Sequence, residues 1–286
     1  MTTTTTTTIV KPVSKMAAVP KVTNISDLHD ICEFSEQGTG TFLYTFFTVI
    51  HEEVVYFGRI GLPRDKITPE QFTAALTPVP DSDIYPKHPT SAGEHFTVAD
   101  DEDLPKGGEE MYYVKRPRFS MYDIFREEDI FSVLPRLILD EARALEKISR
   151  RPHPNIVRYH GCRVRRGRIT GLVFDRHPHD LETHVKDKIG KVDVGPFMEA
   201  LESAVNHLHR LGWAHNDLNP SNVLVAEDGQ PMLVDFGSTK RIGCKLTTSR
   251  GTPGWMEEGD AYHTSEKSHD VFALAKIRAW LHENQI

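Results

Sequence analysis

Two regular patterns of hydrophobic and polar positions follow one another along the chain. Residues 41–50 (TFLYTFFTVI) and 54–60 (VVYFGRI) are dense in aromatic and β-branched side chains and meet at the polar sequence HEEV. Two such runs with few residues between them predict a β-hairpin. Further short strands are predicted at MYYVK (111–115), within NIVRYHGCRV and within ITGLVFD. The first part of the chain is therefore expected to be rich in β-structure.

Later in the chain, hydrophobic residues recur at the helical repeat. Residues 134–151 end in basic side chains, which suit a helix C-terminus, and residues 194–213 run into Gly212, which suits a helix stop. A last helix is predicted over SHDVFALAKIRAWLHENQ, and two short strands are predicted around the EDG turn of VLVAEDGQPMLVDFG. The order of elements predicts an α+β fold, with a small β-rich lobe that holds one helix and then a mainly helical lobe.

Composition shifts indicate where the chain divides. Residues 1–22 are a threonine tract and a Lys/Pro/Ala-rich stretch, which cannot bury enough apolar surface to offset ordering entropy, so a disordered tail is predicted. Residues from about 61 to about 110 are rich in Pro, Asp, Gly and Lys, which predicts a long, partly extended and mobile insertion. The remaining prediction is a β-rich lobe over 23–175 that contains the insertion, and a helical lobe over 176–286.

The composition argues against several classes of protein. The 286 residues carry a net charge of −7, whereas a general binder of nucleic acid or anionic membranes carries a basic surplus. No apolar run reaches the length that crosses a bilayer. The three cysteines are widely spaced and form no CxxC pair, which favours a reducing compartment. The sequence therefore predicts an intracellular protein, cytoplasmic or nuclear, with no nucleic-acid and no membrane partner.

The polar sequences HNDLNPSN (215–222) and VDFG (234–237) carry the candidate chemistry. Their side chains Asp217, Asn222 and Asp235 offer the hard oxygen ligands that Mg²⁺ takes when it also holds substrate phosphates. A carboxylate that is not a metal ligand could accept a hydroxyl proton. The alternative is that the Asp and Asn residues of the first sequence only make local turn hydrogen bonds. The presence of both sequences together favours the metal-binding interpretation.

HNDLNPSNVLV…LVDFG resembles the catalytic loop and the magnesium loop of eukaryotic protein kinases, whose patterns are HRDLxxxN and DFG. VKRP is similar to the strand that carries the family's phosphate-binding lysine, and DEARALEKI to the helix that carries its glutamate partner. RRPHPNIVRYHG, LVFD, GTPGW and HDVFAL resemble further family segments in the correct order, over about residues 110–284. The chain is also similar to short kinase-like proteins of mushroom-forming fungi. The resemblance implies a two-lobed protein kinase-like fold that binds ATP and Mg²⁺ and phosphorylates a protein of unknown identity.

The resemblance also implies roles for single residues. Asp217 would be the base or would orient the attacking hydroxyl, and Asn222 and Asp235 would hold the metal. Lys115 would neutralise the nucleotide phosphates, with Glu141 to position it. The alternative for this last pair is an ordinary surface ion pair, which contributes little.

The adenine site is implied in the same way. Leu224 would lie under the adenine, and Phe174, Asp175 and His177 would border the hinge between the lobes. For Leu224 and Phe174 the rival interpretation is ordinary core packing, and the sequence does not separate the two.

Several positions depart from the family pattern. EQGTGTFLY (36–44) resembles the glycine-rich phosphate loop mainly at Gly38, and the alternative is that the first hairpin has HEEV at its tip. Tyr113 stands where the family has an alanine against the adenine. Asn219 stands where serine/threonine kinases have a lysine, and Asn216 replaces the arginine that pairs with a phosphorylated activation segment. The chain ends at Ile286, so the helical lobe is expected to be truncated after the buried helix.

Three functions remain open on these residues. The intact set of lysine, glutamate, base and metal ligands favours an ATP-dependent protein kinase, with serine or threonine as the default acceptor. A pseudokinase that acts as a scaffold or binding module is favoured by Tyr113, Asn219 and the degenerate glycine loop. A small-molecule phosphotransferase of the aminoglycoside or choline kinase type shares an HxDxxxxN loop and stands third.

Overall fold

A computed structural model describes residues 18–36, 38–89, 94–99, 110–119, 122–128, 130–246, 251–257 and 263–284. Its strands are β1 (Asp30–Ser35), β2 (Phe42–His51), β3 (Val54–Ile60), β4 (Thr77–Pro78), β5 (Tyr112–Lys115), β6 (Tyr159–Arg165), β7 (Arg168–Asp175), β8 (His179–Asp180), β9 (Trp213–Ala214), β10 (Val223–Val225), β11 (Pro231–Leu233) and β12 (Lys240–Arg241). Its helices are α1 (Pro69–Ala75), α2 (Asp81–Ile84), α3 (Tyr122–Glu127), α4 (Val133–Ile148), α5 (Leu181–Lys186), α6 (Val194–Arg210) and α7 (Lys267–Asn284). None of these helices is long and apolar enough to cross a membrane.

The first compact unit contains a four-stranded antiparallel sheet in the order β1-β2-β3-β4. The predicted hairpin is confirmed, because β2 and β3 pair from Thr45↔Ile60 to His51↔Val54. Glu52 and Glu53 form its tip with φ values of 50° and 63°. Two successive left-handed residues give the turn whose twist matches that of the flanking strands.

The predicted tail extends too far. Val22 is 1% exposed and belongs to the hydrophobic core of the first unit. Its backbone N–H donates to Thr73 Oγ1 at 2.9 Å. An apolar side chain with a place in a core and a satisfied backbone group offsets the entropy of ordering, so residues 18–22 belong to the folded unit. Residues 1–17 of the predicted tail lie outside the described residues.

The predicted insertion contains regular structure, which corrects the expectation of an extended segment. Helix α1 begins with a capping box, in which Thr68 and Gln71 each bond the other's backbone, and with Pro69 at its first turn. Strand β4 then pairs with β3, and α2 follows. Residues 90–93 and 100–109 of the insertion lie outside the described residues.

The second compact unit contains a three-stranded antiparallel sheet in the order β5-β7-β6 and the long helices. The three predicted helices are confirmed as α4, α6 and α7. Gly212 ends α6 with a φ of 84°, and its N–H donates to His209 O at 3.2 Å, which is a common end for a helix. One hydrophobic core joins α4, α6 and α7 to the sheet and to β10 and β11.

The compact units group the residues differently from the predicted lobes. The first unit comprises the residues up to Pro80 together with Phe119–Asp123, and the second comprises Asp81–Arg118 and Ile124–Ile286. Strands β6 and β7 share a core with α4, α6 and α7, and β5 pairs with β7, so this sheet belongs to the same unit as the long helices. The structure is a mixed α/β fold with a β-rich N-terminal region and a helical C-terminal part.

Candidate functional site

Lys115 is the last residue of β5, and its ammonium lies between two carboxylates. Its Nζ is 2.7 and 2.8 Å from the two Oε atoms of Glu141 on α4, and 2.9 Å from Asp235 Oδ1. Glu141 also accepts the backbone N–H of Phe236 at 3.1 Å. The glutamate therefore connects α4 to the predicted lysine and to the magnesium-loop sequence at once. This pair is not the surface ion pair of the alternative interpretation, because the Glu141 side chain is only 5% exposed.

Asp235 is held by its own backbone conformation. It has a φ of 59° and ψ of 80°, in the left-handed region, and it caps the short 3-10 helix Phe236–Ser238. Its Oδ1 accepts the N–H of Gly237 at 3.2 Å as well as the Lys115 ammonium. Its Oδ2 lies 3.5 Å from Arg118, which is well exposed. One carboxylate oxygen is therefore committed to protein donors, and the other has one long contact among the described residues.

The charges of this cluster shift one another's pKa. Burial acts against the charged form of Lys115, but the carboxylates of Glu141 and Asp235 outweigh it and raise the pKa of the ammonium. Burial likewise acts against the carboxylate of Asp235, but the Lys115 ammonium and the Gly237 N–H outweigh it and lower the pKa of Asp235 to about 2. Both groups therefore carry their charge at neutral pH.

Asp217 is held by neutral donors. Thr252 Oγ1 donates to its Oδ1 at 2.7 Å, and the amide of Asn222 lies 2.8 Å from its backbone carbonyl and 3.3 Å from its Oδ2. The Nδ2 of Asn219 contacts Thr252 Oγ1 at 3.2 Å and Asp217 Oδ1 at 3.4 Å. The Oδ1 of Asn219 accepts the N–H of Ser221 and so caps the short 3-10 helix Pro220–Asn222. The local turn bonds foreseen as an alternative do occur, and they orient the carboxylate.

The start of the HNDLNPSN loop is fixed by Asp270 of α7, which is fully buried. Its carboxylate accepts the backbone N–H groups of His215 and Asn216, both at 2.8 Å, and lies 2.8 Å from His209 Nε2. His215 in turn bonds the carbonyl of Val234 at 2.9 Å, which ties the catalytic-loop sequence to the magnesium-loop sequence.

Asn216 is buried, and both the nitrogen and the oxygen of its side-chain amide form hydrogen bonds. Its amide nitrogen donates to Ala214 O, Ser238 O and Ser265 Oγ at 2.9 to 3.1 Å, and its Oδ1 accepts from His269 Nδ1 at 3.2 Å. The side chain that replaces the family's arginine is therefore part of the packing beneath the loop, where it fixes the loop to the residues that follow Asp235.

The predicted hinge residues lie at the end of β7. Phe174 is buried and pairs in register with Tyr113, and its ring lies 5.7 Å from that of Tyr159. Asp175 Oδ1 is 2.7 Å from His160 Nε2. Burial lowers the pKa of His177, so its imidazole is neutral at pH 7, and its Nε2 is buried with no hydrogen-bond partner among the described residues.

Leu224 and Tyr113 complete the set of predicted adenine neighbours. Leu224 is half-buried in β10 between Asp180 of β8 and Met232 of β11. Tyr113 is 50% exposed. That this large side chain narrows an adenine site stays a prediction.

Gly38 lies in the turn between β1 and β2 with a φ of 95°. The sheet that carries it shares no strand with the sheet that carries Lys115, and the two belong to different compact units. In the described part of the chain, β5 pairs only with β7. The role of Gly38 as a phosphate-loop glycine stays a prediction.

Two residues of the site were not found from the sequence. In the sequence, Thr252 is part of GTPGW and Asp270 is part of HDVFAL, and neither segment indicates a contact with the loop. Both make their contacts with residues far away in the chain, 35 positions for Thr252 and Asp217, and 55 for Asp270 and His215. Their one available signal was the family resemblance of the two sequences that contain them.

The comparisons with known proteins concern the family of the chain. The sequence pattern of the protein kinase domain matches residues 121–284. The serine/threonine-protein kinase Tao of Drosophila melanogaster is 30% identical over 151 residues, which make up 50% of this chain and 13% of that protein. The maternal embryonic leucine zipper kinase of Danio rerio is 29% identical over 165 residues, 54% of this chain and 23% of that protein. The chain thus spans less than a quarter of the length of either relative.

Among solved structures, that of the Cydia pomonella granulovirus kinase PK-1 is similar over 49% of this chain and 53% of its own, with 20% identity and a TM-score of 0.42. The family match covers more than half of the 286 residues and includes both the catalytic-loop and the magnesium-loop sequence. This chain belongs to the protein kinase domain family.

Proposed function

We propose that the chain is an ATP- and Mg²⁺-dependent protein kinase that transfers the γ-phosphate to a protein hydroxyl, with serine or threonine as the default acceptor. The observation that carries the proposal is the Lys115 ammonium in contact with both Glu141 and Asp235. The family match begins after Lys115, so the role of this lysine rests on those contacts. The serine/threonine kinases among the relatives support the acceptor class.

The residues around the proposed metal site fit Mg²⁺. Asp235 stays ionised because its pKa is lowered to about 2, and Asn222 Oδ1 accepts no hydrogen bond from the described residues. Those residues include no group of three or more His, Cys, Asp or Glu side chains arranged as a metal site. A pair of hard oxygen ligands nevertheless suffices for Mg²⁺ that keeps waters and binds phosphates. When bound, Mg²⁺ supplies positive charge beside the phosphate oxygens.

The protein's own residues then have separate tasks. Lys115 binds the nucleotide phosphates, and Glu141 holds it there. Asp217 accepts or orients the proton of the attacking hydroxyl, with its Oδ1 fixed by Thr252 at 2.7 Å. Phe174, Asp175, His177 and Leu224 border the adenine.

A phosphotransfer assay on the whole chain tests the proposal. Generic protein acceptors and radiolabelled ATP are used with Mg²⁺, and Asp217→Asn is compared with Asp187→Asn, an exposed aspartate at the end of α5. We expect kcat to fall about 10² to 10⁴-fold in Asp217→Asn, because general acid–base groups contribute on that order. The control should keep the wild-type rate. Equal rates in all three proteins would refute the assignment of Asp217.

A binding module without catalysis is the second candidate. It is favoured by Tyr113, whose side chain occupies a position where the family has a small residue, and by the neutral Asn219 in contact with Asp217. Calorimetric titration of ATP with and without Mg²⁺ separates the two. Binding that needs Mg²⁺ and is lost in Asp235→Ala supports the kinase. A folded wild type that binds no nucleotide supports the binding module. A small-molecule alcohol as acceptor in the phosphotransfer assay tests the third possibility.

A further inference from the structure

Residues 94–99 form an additional strand-like segment at the outer edge of β6. The backbone N–H of Cys162 donates to Thr97 O at 2.7 Å, and the N–H of Ala99 donates to Cys162 O at 3.0 Å. Val98 and Cys162 form a parallel bridge. Since β6 is at the edge of the β5-β7-β6 sheet, the segment occupies backbone groups that the sheet leaves unpaired.

The same segment is bonded to α4. Thr97 donates to both carboxylate oxygens of Glu146, from its backbone N at 2.8 Å and from its Oγ1 at 3.1 Å. Glu146 is 7% exposed, and Tyr159 Oη at 3.3 Å is its other donor. A buried carboxylate that loses its donors is strongly destabilised. Glu146 therefore favours conformations in which the segment is in place.

Two further contacts fix the segment along the helix. Glu94 and Arg143 form an ion pair in which two guanidinium nitrogens bond the carboxylate. Phe96 is 4% exposed and packs in the core that contains Ala142 and Leu145 of α4. The segment thus contacts α4 through a charge pair, an apolar anchor and a buried carboxylate.

These contacts lie on the far side of the helix from the site. Arg143 and Glu146 are three residues apart and share a face, whereas at about 100° per residue each is more than a quarter turn away from Glu141. Helix α4 is therefore held on one side by the 94–99 segment and on the other by the bonds of Glu141 to Lys115 and to the Phe236 N–H.

The backbone of β6 has a glycine where the segment approaches. Gly161 has a φ of 132°, and a Cβ there would lie 2.7 Å from Thr97 O and 2.9 Å from Ala99 N. Both distances are below what real Cβ atoms show, and both neighbours are backbone atoms that cannot rotate away. A side chain at this position excludes the segment, so Gly161 is an independent sign that the segment belongs there.

We propose that residues 94–99 are a built-in positioning element for α4, which keeps Glu141 on Lys115 in the absence of any partner protein. Thr97, Glu146, Glu94 and Arg143 are positioning residues that act through Glu141. The expected effect on kcat and KM rests on the proposed function. The contact between Glu141 and the Phe236 N–H does not, because hydrogen exchange measures it without phosphotransfer.

The test uses Gly161→Ala in the whole chain, with Gly167→Ala as the matched control. Gly167 also has a positive φ, 71°, but a Cβ there meets nothing within 4 Å. Hydrogen exchange is measured without nucleotide at the amide of Phe236 and, for reference, at amides of α6. We expect Phe236 to exchange about tenfold faster relative to α6 in Gly161→Ala only. General destabilisation would accelerate both regions together.

Kinetics give the second readout. We expect kcat to fall about 10- to 100-fold and KM for ATP to rise in Gly161→Ala, because a misplaced positioning group affects orientation. A smaller folded fraction would lower kcat and leave KM unchanged. Glu94→Arg is a milder surface variant for the case in which Gly161→Ala does not fold, and the charge exchange Glu94→Arg with Arg143→Glu should restore KM.

The outcomes separate this inference from the proposed function. Selective exchange at Phe236 in a protein that transfers no phosphate supports the positioning element and refutes the kinase activity. An active wild type in which Gly161→Ala and Glu94→Arg match Gly167→Ala in Phe236 exchange, kcat and KM overturns the positioning element and leaves the kinase assignment standing.

Discussion

The Lys115 end of the site and the Asp217 end are built from different chemistry. Among the described residues, the partners of the Lys115 ammonium are charged, and it bonds the carboxylates of both Glu141 and Asp235 directly. Around Asp217 the donors are a hydroxyl and two amides, from Thr252, Asn219 and Asn222. The Lys115 ammonium attracts phosphate, and the carboxylates beside it shift its pKa. The neutral donors around Asp217 instead fix the direction of its carboxylate. Under the proposed function, the first end governs nucleotide affinity and the second governs the rate of transfer.

The largest expected effect on nucleotide affinity is at the charged end. In Lys115→Met, the carboxylates of Glu141 and Asp235 lose their cation and face the nucleotide phosphates directly. A hydrogen bond to a charged group contributes about 1.5 to 3 kcal/mol, so we expect Kd for ATP with Mg²⁺ to rise roughly ten- to a hundredfold. Calorimetric titration measures it.

Lys240→Met is the matched control, because Lys240 also contacts α4, at 2.9 Å from Asp140, but does not bond Glu141 or Asp235 in the described structure. Equal losses of affinity in both variants would show that the charge around Lys115 has no special role and would remove the contrast between the two ends.

The neutral end should improve when it receives a charge. Asn219→Lys places an ammonium beside Asp217, where charge-assisted hydrogen bonds are roughly twice as strong as neutral ones, and we expect kcat to rise about tenfold with Kd for ATP unchanged. The assay is steady-state phosphotransfer. Asn219→Gln is the neutral control, and a gain of the same size in both variants would contradict the electrostatic explanation.

A smaller effect is expected from the hydroxyl that orients Asp217. Thr252→Val keeps the shape of the side chain and removes the donor at 2.7 Å. One such hydrogen bond contributes about 1 kcal/mol net, so kcat should fall about fivefold. Thr252→Ser keeps the hydroxyl and should keep the rate. If serine and valine at this position gave the same kcat, the bond to Asp217 would have no part in catalysis.

The smallest effect concerns pH. The pKa of Asp235 is lowered from 3.8 to about 2, so its carboxylate stabilises the fold fully above the higher value and loses this contribution as pH falls through the lower one. The difference in free energy of unfolding between wild type and Asp235→Asn should therefore be constant from about pH 8 to about pH 5 and shrink only in stronger acid. Chemical denaturation at several pH values measures it, and a change within the neutral range would contradict the charge assignment.

The two ends also differ in what the sequence could predict. Asp217 and Asn222 are five residues apart in one loop, so local spacing identified them, and the hairpin and the long helices followed from strong periodicity. Helices α1 and α2 are too short to show a periodic stripe. Thr252 acquires its role from a contact across 35 positions, which no local pattern encodes.

The grouping of the strands and the end of the tail also depend on long-range contacts that the local sequence does not predict. Which strands share a core depends on long-range packing, so the β5-β7-β6 sheet and the β1-β2-β3-β4 sheet look alike in sequence and belong to different units. Val22 ends a Lys/Pro/Ala-rich stretch with no periodic pattern, and only its place in a core shows that it is ordered.

The hydrogen-bond partners of Asn216 limit which side chains this position accepts. An arginine has no acceptor atom for His269 Nδ1, which bonds Asn216 Oδ1 at 3.2 Å. A replacement must also keep donors to Ala214 O, Ser238 O and Ser265 Oγ, which lie in three different segments of the chain. An arginine at this position therefore requires coordinated changes at several neighbours, because the single substitution leaves a buried donor unpaired and gives a less stable protein.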